Sequence, residues 1–146
     1  MSYLCLMIKL KTRTDTLTKA QKRKVVDAVI KWCNVNLGVN NRRKYRLSYS
    51  VIVQSPKIVK LMNAEAMGMF NHKKNKVIIF HNNNDNVMEM VQTTIHEYTH
   101  YLQPIDKYYQ YFNKMAGYNN NPFEVEAFSN EKKYYKECWK SIKDSL

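Results

Sequence analysis

Cysteine is scarce in this chain. The three that occur, Cys5, Cys33 and Cys138, are scattered and odd in number. That excludes a disulfide framework and points to a reducing, cytoplasmic setting. None stands at metal-ligand spacing from another, so buried small apolar side chains is the expected role. Long apolar runs are also missing. Nothing approaches the roughly 20 residues that span a bilayer, which argues against a membrane protein. Tyr3 to Leu10 is apolar but has no basic residue before it and no small-residue cleavage site after it. It reads as a strand, not a signal peptide. Repeats, linkers and low-complexity stretches are absent too.

The chain has 146 residues, 45% of them hydrophobic and 12% aromatic, enough for one domain with a real core. Net charge is +12, unevenly spread. Residues 1–80 carry 17 basic and 3 acidic side chains, whereas residues 81–146 carry 7 and 9. Arg42-Arg43-Lys44-Tyr45-Arg46 mixes cations with an aromatic ring, a combination suited to nucleic acid. Lys22-Arg23-Lys24 lies on a helix flank, where solvated charge is the default.

Thr18 with Gln21 three residues on forms a capping box. Val25, Val29, Trp32, Cys33 and Leu37 follow at helical spacing, and Gly38 marks the C-terminus, giving a helix over 18–37. Tyr45 to Val53 alternates as a half-buried strand. Glu65–Phe70 and Lys76–Phe80 read as paired strands around the polar turn 71–75. Val77-Ile78-Ile79-Phe80 is continuously apolar and belongs deep in a sheet. Asn86 with Glu89 caps a second helix, which ends before Pro104. Ile105 to Met115 reads as helical. Asn121, Pro122 and Glu124 start a last helix running to about Lys143.

The second helix contains His96-Glu97-Tyr98-Thr99-His100. Two histidines four apart share one helix face, so both imidazoles reach one zinc ion and the glutamate sits beside the metal's water. The surrounding residues are uncharged, and no proline or glycine interrupts them. A zinc site with an open position takes three protein ligands. No histidine follows His100 and Cys138 is remote, so a downstream ligand has to be a carboxylate: Asp106, Glu124, Glu126, Glu131, Glu137 or Asp144. Asp106 is too close to the helix end, and Glu124 is accounted for as a cap. Glu126 lies one turn into the last helix beside small Ala127 and is the choice, with Glu124 the runner-up. Asn130, four residues on, would accept the free N–H of a ligating histidine. His81, at a strand end, and His72, in a turn, are read as surface residues.

These residues resemble the gluzincin metallopeptidases, which pair a His-Glu-x-x-His helix with a glutamate on a second helix in a Glu-x-x-x-Asp pattern. The match covers residues 76–131 and is most similar to minimal gluzincin domains of small bacterial and phage proteins. Asn130 stands where that family has an aspartate. The resemblance implies His96, His100 and Glu126 as zinc ligands and Glu97 as general base. A tyrosine or histidine would stabilise the oxyanion, with Tyr118 the candidate and Tyr111 the alternative. The strand Val77–Phe80 would offer its edge to an extended peptide.

The expectation is therefore a single α+β zincin-like domain over 1–146, comprising an N-terminal helix, a small mixed sheet, the metal-binding helix and a C-terminal glutamate-bearing helix. Its expected activity is zinc-dependent peptide hydrolysis. The alternatives are a DNA-associated protease, favoured by the basic N-terminal half, and a non-catalytic zincin-fold binding module.

Overall fold

The computed structural model describes residues 7–43, 45–53, 66–104, 106–107 and 121–146. They form a small mixed α+β arrangement of three helices and a three-stranded sheet. The first helix, α1 (Lys19–Asn36), begins where the capping box predicts. Thr18 Oγ1 accepts from the Gln21 backbone N–H at 3.1 Å, and Gln21 Oε1 accepts from the Thr18 backbone N–H at 2.8 Å. It ends at Gly38, whose φ of +91° is open to glycine and strained for other residues. Between these limits Val25, Val26, Val29, Ile30, Trp32 and Cys33 are buried.

The strands are β1 (Ser48–Ile52), β2 (Gly68–Asn71) and β3 (Lys76–Phe80), in the order β1-β3-β2. β1 runs parallel to β3, and β2 antiparallel to it. The β2–β3 turn closes with Asn75 at φ +52°, held by its Nδ2 donating to the Tyr45 carbonyl at 2.6 Å. The apolar run Val77–Phe80 is thus central, as its composition predicts. That position corrects one expectation: β3 is hydrogen-bonded on both sides and has no edge to offer a peptide. Another correction concerns the N-terminus. Residues 7–10, the described part of the strand read at Tyr3–Leu10, are loop.

Helix α2 (Val87–Leu102) lies against the sheet, α1 and α3 (Pro122–Ile142). Asn86 Oδ1 accepts from the Glu89 N–H at 2.9 Å, while Glu89 reaches past the cap to the Asp85 N–H at 3.2 Å. Val87, Met90, Val91, Thr94, Ile95 and Tyr98 are fully buried. Each large apolar side chain there contributes about 1.5–3 kcal/mol by leaving water. The Tyr98 hydroxyl donates to Asn34 Oδ1 at 2.7 Å, tying the two helices together. At the far end Arg43 Nη2 donates to the carbonyls of Tyr101 and Gln103, each at 3.0 Å, with its guanidinium 5.0 Å from the Phe70 ring centre. This Arg closes the C-terminus of α2, so its guanidinium has a structural role within the cluster. Helix α3 starts at Asn121, whose Oδ1 accepts from the Phe123 N–H at 2.9 Å, with Pro122 in the first turn. No described helix is long and apolar enough to cross a membrane.

Candidate metal centre

The middle of α2 is buried all round, and the His-Glu-x-x-His residues sit inside it. His96, Glu97 and His100 are 4%, 6% and 8% exposed. One turn apart on the helix, the two imidazoles meet edge to face with centroids 5.0 Å apart. Their Nε2 atoms converge on one oxygen. Glu124 Oε1 lies 3.0 Å from His96 Nε2 and 3.1 Å from His100 Nε2.

The carboxylate facing the histidines is therefore Glu124, not Glu126. Glu126 is exposed and turns toward Gln103, whose Nε2 donates to Glu126 Oε1 at 2.8 Å. The reason is helix phase. Glu124, Ala127, Cys138 and Ile142 are buried on α3, and half-buried Glu131 and Tyr135 fall between them at three- and four-residue steps. Position 126 falls off that stripe. The capping role assigned to Glu124 is met by Asn121, which leaves the Glu124 side chain to turn inward. Following the apolar stripe backward from Ile142 points to Glu124 in the sequence itself.

The outer nitrogens also have partners. His96 Nδ1 is 2.9 Å from Glu131 Oε1, and His100 Nδ1 is 2.7 Å from Gln103 Oε1. Asn130, expected to hold a histidine, instead donates to Thr99 Oγ1 at 3.3 Å. Glu131, two helical turns after Glu124, takes the role expected of Asn130 and brings a charge that an amide lacks.

These contacts dictate what the cluster can hold. With acceptors at both Nδ1 positions, each neutral ring has its hydrogen on Nδ1 and its lone pair on Nε2. Two lone pairs and a carboxylate oxygen then face one another out of water. Three electron-rich atoms hold together only around a cation, either protons or a metal. Without metal, protons do it. Burial opposes charging His96, but its hydrogen bonds to Glu124 and Glu131 outweigh burial and push it up to about 10. His100 is raised for the same reason, burial again opposing the Glu124 hydrogen bond.

A metal fits the same space. The ligand atoms of His96, His100 and Glu124 all lie within 4.8 Å of one another, and this group could hold a metal ion. Tetrahedral ligands about 2.0–2.1 Å from zinc are about 3.3–3.4 Å apart. The contacts of 3.0 and 3.1 Å need to open by only a few tenths of an ångström.

Glu97 is buried next to His96 in the chain, and burial raises its carboxyl above the usual range. It lies against β2 at Gly68, where a Cβ would stand 3.2 Å from Glu97 Cγ. Gly68 and Gln103 escaped the sequence reading, and Glu131 entered it only as one of several candidate ligands. Tyr118 and Tyr111, the expected oxyanion donors, lie outside the described residues. His81 belongs elsewhere: its Nδ1 accepts from Lys22 Nζ at 3.1 Å, and burial with that neighbouring cation lowers its pKa.

In comparisons with protein-family models, curated proteins and solved structures, nothing matches this chain.

Proposed function

We propose that this protein is a zincin-type, zinc-dependent peptidase, with His96, His100 and Glu124 as ligands and Glu97 as general base. The observation that carries the reading is the convergence of both histidine Nε2 atoms on Glu124 Oε1, at 3.0 and 3.1 Å. Two imidazoles and one carboxylate form a donor set that suits zinc and leaves a fourth position open.

When bound there, zinc supplies a water whose pKa is lowered to about 7 and a Lewis acid for the substrate carbonyl. The chain supplies the proton transfers. Glu97, one residue along from a proposed ligand and buried, would take the proton of the attacking water and pass it to the leaving amine. Tyr118, or else Tyr111, is the proposed oxyanion donor.

Peptide binding is assigned to β2 in this reading. It pairs with β3 on one side and, among the described residues, is an outer strand of the sheet next to Glu97. An extended substrate adding to that edge would pass the general base at Gly68, where no side chain intrudes. The DNA-associated alternative has less behind it, because Arg43 of the mixed basic cluster is engaged at the end of α2.

The test is cleavage of a degenerate peptide library by zinc-loaded protein. Cleavage that disappears in Glu97→Gln while zinc is retained supports the reading. Tight zinc binding with no cleavage of any library peptide would assign the site to a non-catalytic module instead.

A further inference from the structure

Gln103 is the residue immediately after α2, and it is 5% exposed. Its carboxamide touches three groups. Nε2 lies 2.9 Å from the Phe123 carbonyl oxygen and 2.8 Å from Glu126 Oε1, and Oε1 lies 2.7 Å from His100 Nδ1. A carbonyl and a carboxylate accept hydrogen bonds and cannot donate them. Both therefore require the amide nitrogen, which has two hydrogens to give. With the nitrogen committed, the amide oxygen has one place to go, and that is His100 Nδ1. A flipped amide would set oxygen against two oxygens and N–H against N–H around a side chain that is itself almost out of water.

From this we infer that Gln103 is a positioning residue for the metal site and that Glu126 acts through it. The first turn of α3 sets the amide, the amide keeps the hydrogen of His100 on Nδ1, and the Nε2 lone pair is left facing Glu124. The inference rests on reading the cluster as a metal centre. It gives Glu126 a part in that centre without making it a ligand. It also makes the two histidines independent at their outer nitrogens, since His96 is held by Glu131.

Two measurements on zinc-loaded protein test it. The first is zinc affinity by competition with a chromophoric chelator. Gln103→Leu should weaken zinc by about 10–100-fold, as loss of an outer partner of a ligating histidine does. Glu126→Leu should weaken it by less than about tenfold, because the Phe123 carbonyl still holds the amide. Glu126→Gln should match the parent, since its amide oxygen still accepts from Gln103. The second is NMR of the imidazole N–H protons. The parent should show two slowly exchanging Nδ1–H signals. Gln103→Leu should lose that of His100 and keep that of His96, a selectivity that general loosening of the fold would not produce. Parental affinity with both signals intact in Gln103→Leu would overturn the inference. An unchanged Glu126→Leu would remove Glu126 from it. A parent protein that binds no zinc would sink the metal reading itself, and this inference with it.

Discussion

Gly68 and Glu97 are in contact only because residue 68 has no side chain. A Cβ there would stand 2.8 Å from Thr93 Cγ2, 3.0 Å from the Ile78 carbonyl oxygen and 3.2 Å from Glu97 Cγ. Thr93 has little freedom to retreat, because its hydroxyl donates to Asn84 Oδ1 at 2.8 Å and Asn84 is fully buried. Gly68→Ala should therefore push β2 away from α2 or displace Glu97. Overpacking of this kind costs about 1–3 kcal/mol. Peptide hydrolysis should fall further than that loss of stability explains, with zinc affinity unchanged. Thermal unfolding, zinc titration and a peptidase assay on one preparation check it. Full activity in Gly68→Ala would contradict the close fit.

Glu124 and Glu126 differ in what they touch, and conservative substitution separates them. Glu124→Gln should weaken zinc by more than the roughly 10–100-fold typical of an outer partner, because it removes the ligand charge itself. Glu126→Gln should leave affinity near that of the parent. Chelator competition reads both, and the reverse order would restore Glu126 as the ligand.

The two histidines tie the site to pH with opposite signs in the two forms. Unfolded imidazoles titrate near about pH 6.5. In the folded, metal-free protein His96 is pushed up to about 10 and His100 is also raised, in both cases with burial opposing the Glu124 hydrogen bond. The folded state thus binds more protons across that window. Its stabilisation is complete below about pH 6.5 and is lost as pH rises through the folded pKa. Zinc needs both rings deprotonated, so its apparent affinity should climb over the same window. Melting temperatures of chelator-treated protein should fall from about pH 6.5 to 9 while zinc affinity rises. A metal-free protein that grows more stable over that range would rule out the charged histidine–carboxylate cluster.

Arg43 is predicted to act on stability. Its side chain donates to the Tyr101 and Gln103 carbonyls at 3.0 Å, and to that of His100 at 3.3 Å. Arg43→Ala should cost about 1–3 kcal/mol, and Arg43→Lys should recover little, because an ammonium cannot span the same carbonyls as a planar fork. Denaturant unfolding measures both. If the double change Arg42→Ala, Arg43→Ala instead abolished binding to DNA without loss of stability, the nucleic-acid reading would regain support.

Much of the fold was legible because its boundaries are local chemistry. Thr18 with Gln21, Asn86 and Asn121 each fix a helix end through a bond within a few residues, and Gly38 fixes one by its positive φ. The apolar run Val77–Phe80 could only be a central strand. The two histidines and Glu97 were legible for the same reason, since their spacing alone puts them together. The carboxylate that faces them was not, because it depends on which face of α3 meets α2, a property of packing over the whole helix. Reading Glu124 as a cap used it up locally and shifted the choice to Glu126. Gln103 is only three residues from His100, but the groups that orient its amide are 20 and 23 positions away, and Gly68 matters through a strand laid across a helix.

The most direct test of the account is a crystal of zinc-loaded protein, with diffraction recorded on either side of the zinc absorption edge. The account predicts one anomalous peak within about 2.0–2.2 Å of His96 Nε2, His100 Nε2 and a Glu124 carboxylate oxygen. A peak coordinated by Glu126, or no peak among these three residues at full zinc loading, would contradict it.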